Sequence, residues 1–404
     1  MHFDRYLKLL PFAIAGVLLF VAAFNRLIDS YALYEGPVIE GLNKNKPVFS
    51  RHLRLSKAVA IRKYKPTAIV LGTSRAEYAI DPKHAGWQED EVYNLGLSSA
   101  NLYEAFRYMQ HAQAVHSLNQ VVLMADFRMF NANENNENDF EELQLAVDVN
   151  GDLQSDYLDI KIPTLLSLDA LIQSVETIYK QNNTDSIYLE NGMLDTTHND
   201  RFIYDRGGHR NAFIQNEKGY FKFYKNFSFV STTNNRWKTY KELLLLAQQN
   251  NIQLNIVIPP THARQSETIV ARGIWNDFEK WKRKLVELNE QVALEQNREL
   301  FPIWDFSGYN SYTTESVTEN GDKESTMQWY WESSHYKKEL GDLVLDRIFN
   351  YKHPDRVVND DFGVLLNSDT IEPHLRQIRN DQLLWRQSYT EDVAEIEALK
   401  EYEN

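Results

Sequence analysis

A serine, a carboxylate and an imidazole occur in two short segments near opposite ends of this chain. Ser74 lies in Leu71-Gly72-Thr73-Ser74-Arg75, and Glu332 and His335 lie in Glu332-Ser333-Ser334-His335. A serine hydroxyl becomes a nucleophile when a base takes its proton, and a third group must orient that base. Ser74, His335 and Glu332 are therefore candidates for nucleophile, general base and orienting carboxylate.

The residues around Ser74 favour a strand-to-helix turn. The apolar run 68–71 predicts a buried strand, and a serine beside a glycine at its end can project its hydroxyl from a tight turn. The alternative is that Ser74 only caps the following helix, as serines often do. A capping or core role is likewise the alternative for His335, which precedes a predicted helix.

The elements that would position these residues alternate between strand and helix. Apolar runs predict five strands, and amphipathic periodicity predicts helices between and after them. The strands are predicted at 67–71, 91–95, 120–124, 252–258 and 300–306, and the helices at 101–116, 236–249, 274–295 and 337–349. Strands separated by helices of this length predict an α/β fold with a parallel sheet and helices on both sides. Residues 131–230 interrupt the pattern and predict an insertion after the third strand, with one helix at 162–179.

Composition limits the function classes. The chain has 404 residues, 43% of them hydrophobic, and a net charge of −14, which argues against nucleic acid as the main partner. It has no cysteine, which excludes disulfides, thiol catalysis and cysteine–zinc sites. His198 and His209, with the acidic residues near them, match no metal-binding template, so no metal or other cofactor is predicted.

The N-terminal segment is apolar from Leu9 to Phe24. With its flanks the run approaches the roughly 20 residues that cross a bilayer. A cleaved signal peptide and a buried core helix are the alternatives to an uncleaved anchor, which the length of the run favours. The predicted organisation is an anchor at 1–28, a linker and leading helix at 29–65, an α/β domain at 66–350, and a charged tail at 351–404.

Three short blocks together resemble the SGNH hydrolase superfamily, and within it the membrane-anchored branch similar to alginate O-acetyltransferases. They are Gly72-Thr73-Ser74-Arg75, Asn94-Leu95-Gly96-Leu97-Ser98 and Glu332-Ser333-Ser334-His335-Tyr336. The resemblance implies a three-layer α/β/α, flavodoxin-like fold. It also implies a catalytic domain in the periplasm, held by a single-pass anchor in the inner membrane. The sequence departs from the family in having Glu332 where an aspartate is usual.

An oxyanion site and substrate contacts are also expected. Backbone N–H groups of Ser74 and Gly96 are candidate oxyanion donors, since such groups need no reorganisation when charge develops. The family often places an asparagine after the third strand, where this chain has Asp126, so Asn101 is a candidate replacement donor. Four residues are candidates for substrate binding because they follow the nucleophile or the carboxyl ends of strands: Arg75, Asp126, His262 and Arg264. The alternative for Arg75 is an ion pair with Asp126, and Asp126 has Arg128 as a further candidate partner.

These features support two hypotheses of different classes. The first is an O-acyltransferase or esterase that forms a serine acyl-enzyme. For it, the resemblance implies acetyl groups on a cell-surface polysaccharide and a multispanning membrane partner that supplies the acyl donor. The second is a non-catalytic polysaccharide-binding or assembly protein on the same scaffold, which the changes at Glu332 and Asp126 favour. A phosphoryl-transfer protein is a weaker third idea, because the sequence has no glycine-rich phosphate loop.

Overall fold

A computed structural model of the protein describes residues 2–154, 158–183 and 187–403. The chain divides into two compact units. We call Met1–Lys65 with Asn138–Leu189 the N-terminal unit, and Pro66–Glu137 with Glu190–Asn404 the sheet unit. Residues 138–189 thus group with the N-terminal segment, whereas the rest of the predicted insertion groups with the sheet.

The sheet unit is built on six strands in the order β2-β1-β3-β4-β5-β6. The first five run parallel and β6 is antiparallel to β5. The strands are β1 (Ala68–Leu71), β2 (Val92–Asn94), β3 (Gln120–Met124), β4 (Gln253–Ile258), β5 (Ile303–Asp305) and β6 (Val364–Leu366). Because β1 and β3 are buried along their whole length, they read as continuous apolar runs.

Helices make up most of the remaining structure of both units. The helices of the N-terminal unit are α1 (His2–Ile28), α2 (Leu53–Tyr64), α5 (Leu158–Leu166) and α6 (Leu168–Tyr179). Those of the sheet unit are α3 (Ser74–Ala79), α4 (Leu102–Val115), α7 (Asn199–Asp205), α8 (His209–Phe223), α9 (Arg236–Gln249), α10 (Ala263–Ala271), α11 (Trp275–Gln296), α12 (Lys338–Ile348), α13 (Ile371–Ser388) and α14 (Thr390–Glu397).

The predicted mixed α/β class with a mostly parallel sheet is confirmed, and most boundaries differ by one to three residues from the prediction. The single helix predicted at 162–179 is wrong: the chain forms α5 and α6, which meet at Ser167, the N-cap of α6. The sequence pattern also did not indicate β6, α13 and α14. They lie in residues 351–404, for which the sequence predicts only a charged tail.

Helix α1 carries the apolar N-terminal run. Residues Tyr6–Ile28 are long and apolar enough to cross a membrane, and theirs is the one such helix among the described residues. The side chains of residues 6–20 are exposed. Asn25, by contrast, is buried and its amide nitrogen donates to the Leu165 carbonyl at 2.9 Å, so the end of α1 is covered by the α5–α6 hairpin.

Candidate active site

Ser74 stands at the first position of α3, directly after β1. Thr73 is the N-cap, and its hydroxyl accepts from the Arg75 N–H. Gly72 makes the turn possible, because a Cβ at this position would lie 2.8 Å from the Cβ of Met124 on the neighbouring strand β3. The capping role that was the alternative for Ser74 therefore belongs to Thr73, and the Ser74 hydroxyl is left to point elsewhere.

Glu332 and His335 lie on a tight loop closed by a short antiparallel bridge between Tyr330 and Tyr336. The Glu332 carboxylate turns back on this loop. One oxygen accepts from the Ser334 N–H at 2.9 Å, and the other accepts from the His335 N–H at 3.0 Å. The longer glutamate side chain thus places its carboxylate against the backbone of the loop that carries the histidine.

The three predicted catalytic side chains form a hydrogen-bonded series in the order serine, histidine, glutamate. His335 Nε2 lies 2.7 Å from Ser74 Oγ, and His335 Nδ1 contacts Glu332 Oε1 on the other side of the ring. Because an ionised carboxylate only accepts hydrogen bonds, Nδ1 carries the proton and Nε2 is free to accept from the serine hydroxyl. This is the arrangement in which a histidine can deprotonate a serine.

Two further features concern the orientation of the imidazole and the ionisation of its partner Glu332. The Tyr78 ring stacks on the His335 ring with centroids 4.5 Å apart. Burial alone would raise the pKa of Glu332, but the nearby His335 and the Ser334 N–H more than offset it, and the pKa lies below its usual value. Glu332, which is 3% exposed, is therefore an ionised carboxylate directed at the imidazole.

Close packing of α3 on α12 brings the two loops together. Gly341, on α12, lies against the Ala79 carbonyl at the end of α3, and an added Cβ would collide with that oxygen. Only a glycine permits this approach. Since α3 begins with Ser74 and α12 follows His335 by three residues, the helix contact also sets the distance between nucleophile and base.

The structure shows Arg75 and Asp126 in the ion pair that was the alternative to substrate binding. Each side chain is 3% exposed, and the two form a buried ion pair. Arg75 Nε also donates to the Ser334 carbonyl at 2.9 Å, and Asp126 Oδ2 accepts from the Thr73 hydroxyl at 3.3 Å. The pair therefore joins the turn before Ser74 to the loop before His335, and is a support beneath the site.

The predicted substrate-binding role of His262 and Arg264 is wrong, because both are buried and engaged. His262 caps α10: its Nδ1 accepts from the Arg264 N–H, and its Nε2 donates to the Glu315 carbonyl at 2.7 Å. Burial lowers the pKa of His262 to about 3, so the ring is neutral. Arg264 pairs with Glu217 on α8 and with Asp392 on α14.

Two of the three predicted oxyanion donors are committed elsewhere. The Gly96 N–H donates to Asn94 Oδ1 at 3.0 Å. Asn101 is the N-cap of α4, where its oxygen accepts from the Glu104 N–H and its amide nitrogen donates to the Asn135 carbonyl at 3.1 Å. Neither donor is therefore placed for an oxyanion at Ser74. The Ser74 N–H, at the start of α3, is among the helix N–H groups that have no intrahelical acceptor.

An open cleft of about 560 Å³ is lined mainly by α8, and we call it the α8 cleft. Two contacts connect it to the catalytic loops. Asn216 accepts a hydrogen bond from the Ser333 hydroxyl at 3.1 Å, and the Tyr220 ring lies under the Arg75 guanidinium at 5.3 Å. Its lining residues are Ser99, Arg128, Arg206, Gln215, Asn216, Gly219, Tyr220 and Phe223.

The sequence pattern does not indicate these lining residues. Five of them lie on α8, inside the segment 131–230 for which the sequence predicts an insertion. Asn216, Tyr220 and Phe223 recur at helical spacing, which was the one available signal. That signal predicts a helix face but carries no chemistry of its own, so it could not point to a site.

Comparison with known proteins adds no assignment to this geometry. No protein-family model matches the chain, and no curated protein sequence matches it. The site is therefore interpreted from its own residues: a serine, a histidine and a glutamate in hydrogen-bonding order, whose loops contact the α8 cleft through Ser333 and Arg75.

Proposed function

We propose that this protein is a membrane-anchored O-acyltransferase or esterase of the SGNH type that works through an acyl-enzyme on Ser74. The observation that carries the proposal is the hydrogen-bonded series Ser74–His335–Glu332, with 2.7 Å between Ser74 Oγ and His335 Nε2. A histidine with a purely structural role does not need both a serine hydroxyl at one ring nitrogen and a buried carboxylate at the other. Their combination is what nucleophilic catalysis requires.

The reaction would proceed in two halves. In the first half, His335 Nε2 takes the proton of Ser74 while Ser74 Oγ attacks the carbonyl carbon of the acyl donor. The carbonyl oxygen becomes an oxyanion. The intermediate collapses, the donor alcohol leaves with the proton from His335, and Ser74 carries the acyl ester. In the second, His335 takes a proton from an acceptor hydroxyl, which attacks the ester. Collapse returns that proton to Ser74 and releases the acylated acceptor.

The environment of each residue suits these two half-reactions. Glu332 stabilises the imidazolium that forms in each half, because it is ionised and contacts Nδ1. The Ser74 N–H, at the start of α3, is the backbone donor that we propose for the developing oxyanion. On the wall of the α8 cleft, Asn216 adds an amide whose oxygen is occupied by Ser333.

The substrate class rests on the sequence resemblance and on the anchor. We propose acetyl groups on a cell-surface polysaccharide as the transferred groups, with the sheet unit in the periplasm and α1 in the inner membrane. The acyl donor would come from a multispanning membrane partner. The α8 cleft is open and presents Tyr220 and Phe223, and aromatic faces of this kind can stack on sugar rings.

The second candidate function is a non-catalytic polysaccharide-binding or assembly protein on the same scaffold. One observation favours it: Gly96 and Asn101, two of the expected oxyanion donors, are occupied by other partners. A site with a triad but a poor oxyanion hole would bind a sugar without efficient acyl transfer.

The test compares full-length protein with its Ser74→Ala and Ser334→Ala variants, in nanodiscs, on a chromogenic acetyl ester. The acyl-enzyme proposal predicts turnover that Ser74→Ala abolishes and that Ser334→Ala, which alters a neighbouring serine of the loop, largely keeps. Addition of an oligosaccharide acceptor separates transfer from hydrolysis. Equal rates for wild type and Ser74→Ala, with retained oligosaccharide binding, would favour the binding protein.

A further inference from the structure

Helix α6 of the N-terminal unit has an exposed apolar stripe. Leu168, Ile172, Val175 and Tyr179 are 70%, 56%, 57% and 90% exposed. Steps of four, three and four residues place all of them on one face of a helix. On α5, Ile162 and Leu166 are also exposed, at 56% and 46%. Exposed apolar side chains are common singly, but a continuous stripe indicates a surface that contacts something apolar.

The opposite side of the hairpin is polar and fixed to the end of α1. The Ser174 hydroxyl donates to Asn25 Oδ1 at 3.1 Å, and the Tyr31 hydroxyl donates to Asp169 at 2.6 Å. The charge of Glu176 on α6 is paired with Arg51 at 2.6 Å. The hairpin therefore uses its polar groups for contacts within the unit and leaves the uncharged stripe outward.

The length of α1 places this hairpin at the membrane boundary. The part of the span in which every residue is exposed, residues 6–20, is about 22 Å long at 1.5 Å per residue, against a hydrocarbon core of about 30 Å. The next turns of α1, up to about Asn25, are needed to complete a crossing. Those turns are the ones that the hairpin covers, through the bond from Asn25 to the Leu165 carbonyl.

A second segment at the end of α1 shows the same exposure. Asn43 donates to the Leu27 carbonyl at 2.6 Å and to the Pro37 carbonyl at 2.9 Å, which ties the following loop to the end of the helix. In that loop Val38 is 73% exposed and Ile39 is 41% exposed. Apolar side chains are thus exposed on two separate segments that bond to the last turns of α1.

We propose that the α5–α6 hairpin is an interfacial membrane element, whose stripe Leu168–Ile172–Val175–Tyr179 contacts lipid acyl chains beside the point where α1 leaves the bilayer. An amphipathic helix with an uncharged face and a paired polar face lies in the headgroup region. Tyr179, at the end of the stripe, is of a residue type enriched at that depth. This role rests on α1 crossing the membrane and is independent of the proposed chemistry at Ser74.

The absence of cysteine from the chain makes a direct test possible. Single-cysteine variants Val175→Cys and Ile172→Cys of the full-length protein are labelled with an environment-sensitive fluorophore and reconstituted into liposomes of phosphatidylethanolamine and phosphatidylglycerol. Val230→Cys, at an 80% exposed valine of the sheet unit, is the matched control. Quenching is measured with nitroxide-bearing lipid and, separately, with aqueous iodide.

The proposal predicts blue-shifted emission at positions 172 and 175, strong quenching by the nitroxide lipid and protection from iodide. The label at position 230 shows the reverse. Iodide quenching at 172 and 175 equal to that at 230 would overturn the proposal, because the stripe would then face water. Protection from both quenchers would also overturn it, since the stripe would then be covered by protein, such as a second copy. Two labelled positions guard against a local disturbance at either one.

Discussion

Replacing Glu332 by glutamine tests the triad position at which this chain has a glutamate, where the SGNH hydrolases that it resembles usually have an aspartate. The two carboxylate oxygens accept from His335 Nδ1 on one side and from the Ser334 N–H on the other. A glutamine has one acceptor oxygen and one NH2 group. If its oxygen faces His335, its NH2 meets the Ser334 N–H; if it is flipped, its NH2 meets the histidine. One donor therefore faces another donor in either orientation.

The expected loss follows from the burial of Glu332. A hydrogen bond to a charged group contributes about 1.5–3 kcal/mol, and the upper end applies where the carboxylate is 3% exposed. Since each 1.36 kcal/mol is a factor of ten in rate, about 3 kcal/mol predicts a roughly 10²-fold lower kcat on an acetyl ester. The unpaired donor should also destabilise the fold by about 1–3 kcal/mol, measurable by urea unfolding.

Ser334→Ala is the matched control for this experiment. It removes the hydroxyl that donates to Glu332 Oε1 at 3.1 Å and keeps the backbone N–H and the carboxylate. The fold decrease in kcat for Ser334→Ala should therefore be at least an order of magnitude smaller than that for Glu332→Gln. A folded Glu332→Gln protein with wild-type kcat would show that Ser74 and His335 act as a dyad, without a contribution from the carboxylate.

Three other predictions concern stability. Asp126→Asn should cost about 3–5 kcal/mol in urea unfolding because it strands the buried Arg75 charge, whereas the double variant with Arg75→Met should cost clearly less than the sum of the two single changes. Gly341→Ala should destabilise by about 1–3 kcal/mol and lower kcat as well, because the new Cβ pushes α12 from the Ala79 carbonyl; full stability with full activity would contradict it. His262 should make stability fall as pH drops from its ordinary pKa of 6.5 toward about 3, since only the unfolded chain binds the proton in that window. The slope should be up to about 1.4 kcal/mol per pH unit, and His262→Gln should flatten it.

The mixed α/β fold could be predicted because its central strands are short apolar runs separated by amphipathic helices. Strand β3 is buried at every position and was predicted with its observed bounds. Strand β6 was missed, since an edge strand of three residues with an exposed centre has no such run. The hairpin α5–α6 was predicted as one helix because its apolar periodicity continues across Ser167, and periodicity does not show where a chain reverses.

The candidate site was predictable to the extent that its residues lie at the ends of recognisable elements. Ser74, His335 and Glu332 were found in this way. The ion pair of Arg75 with Asp126 was one of two alternatives for that arginine. The role of Arg264 was not predicted, because its partner is decided by tertiary packing: Asp392 lies on α14. Asn216 was missed since nothing in its local sequence indicates that α8 forms a wall of the cleft.

We propose that Ser74 Oγ is a nucleophile activated by His335. The most direct test is covalent labelling of the full-length protein by a fluorophosphonate, with intact mass and peptide mapping, for wild type and for the Ser74→Ala and His335→Gln variants. A nucleophilic Ser74 activated by His335 should give a single adduct on Ser74, no adduct in Ser74→Ala, and strongly slowed labelling in His335→Gln. No adduct on a folded wild-type protein, or an adduct that forms equally fast without the histidine, would contradict it.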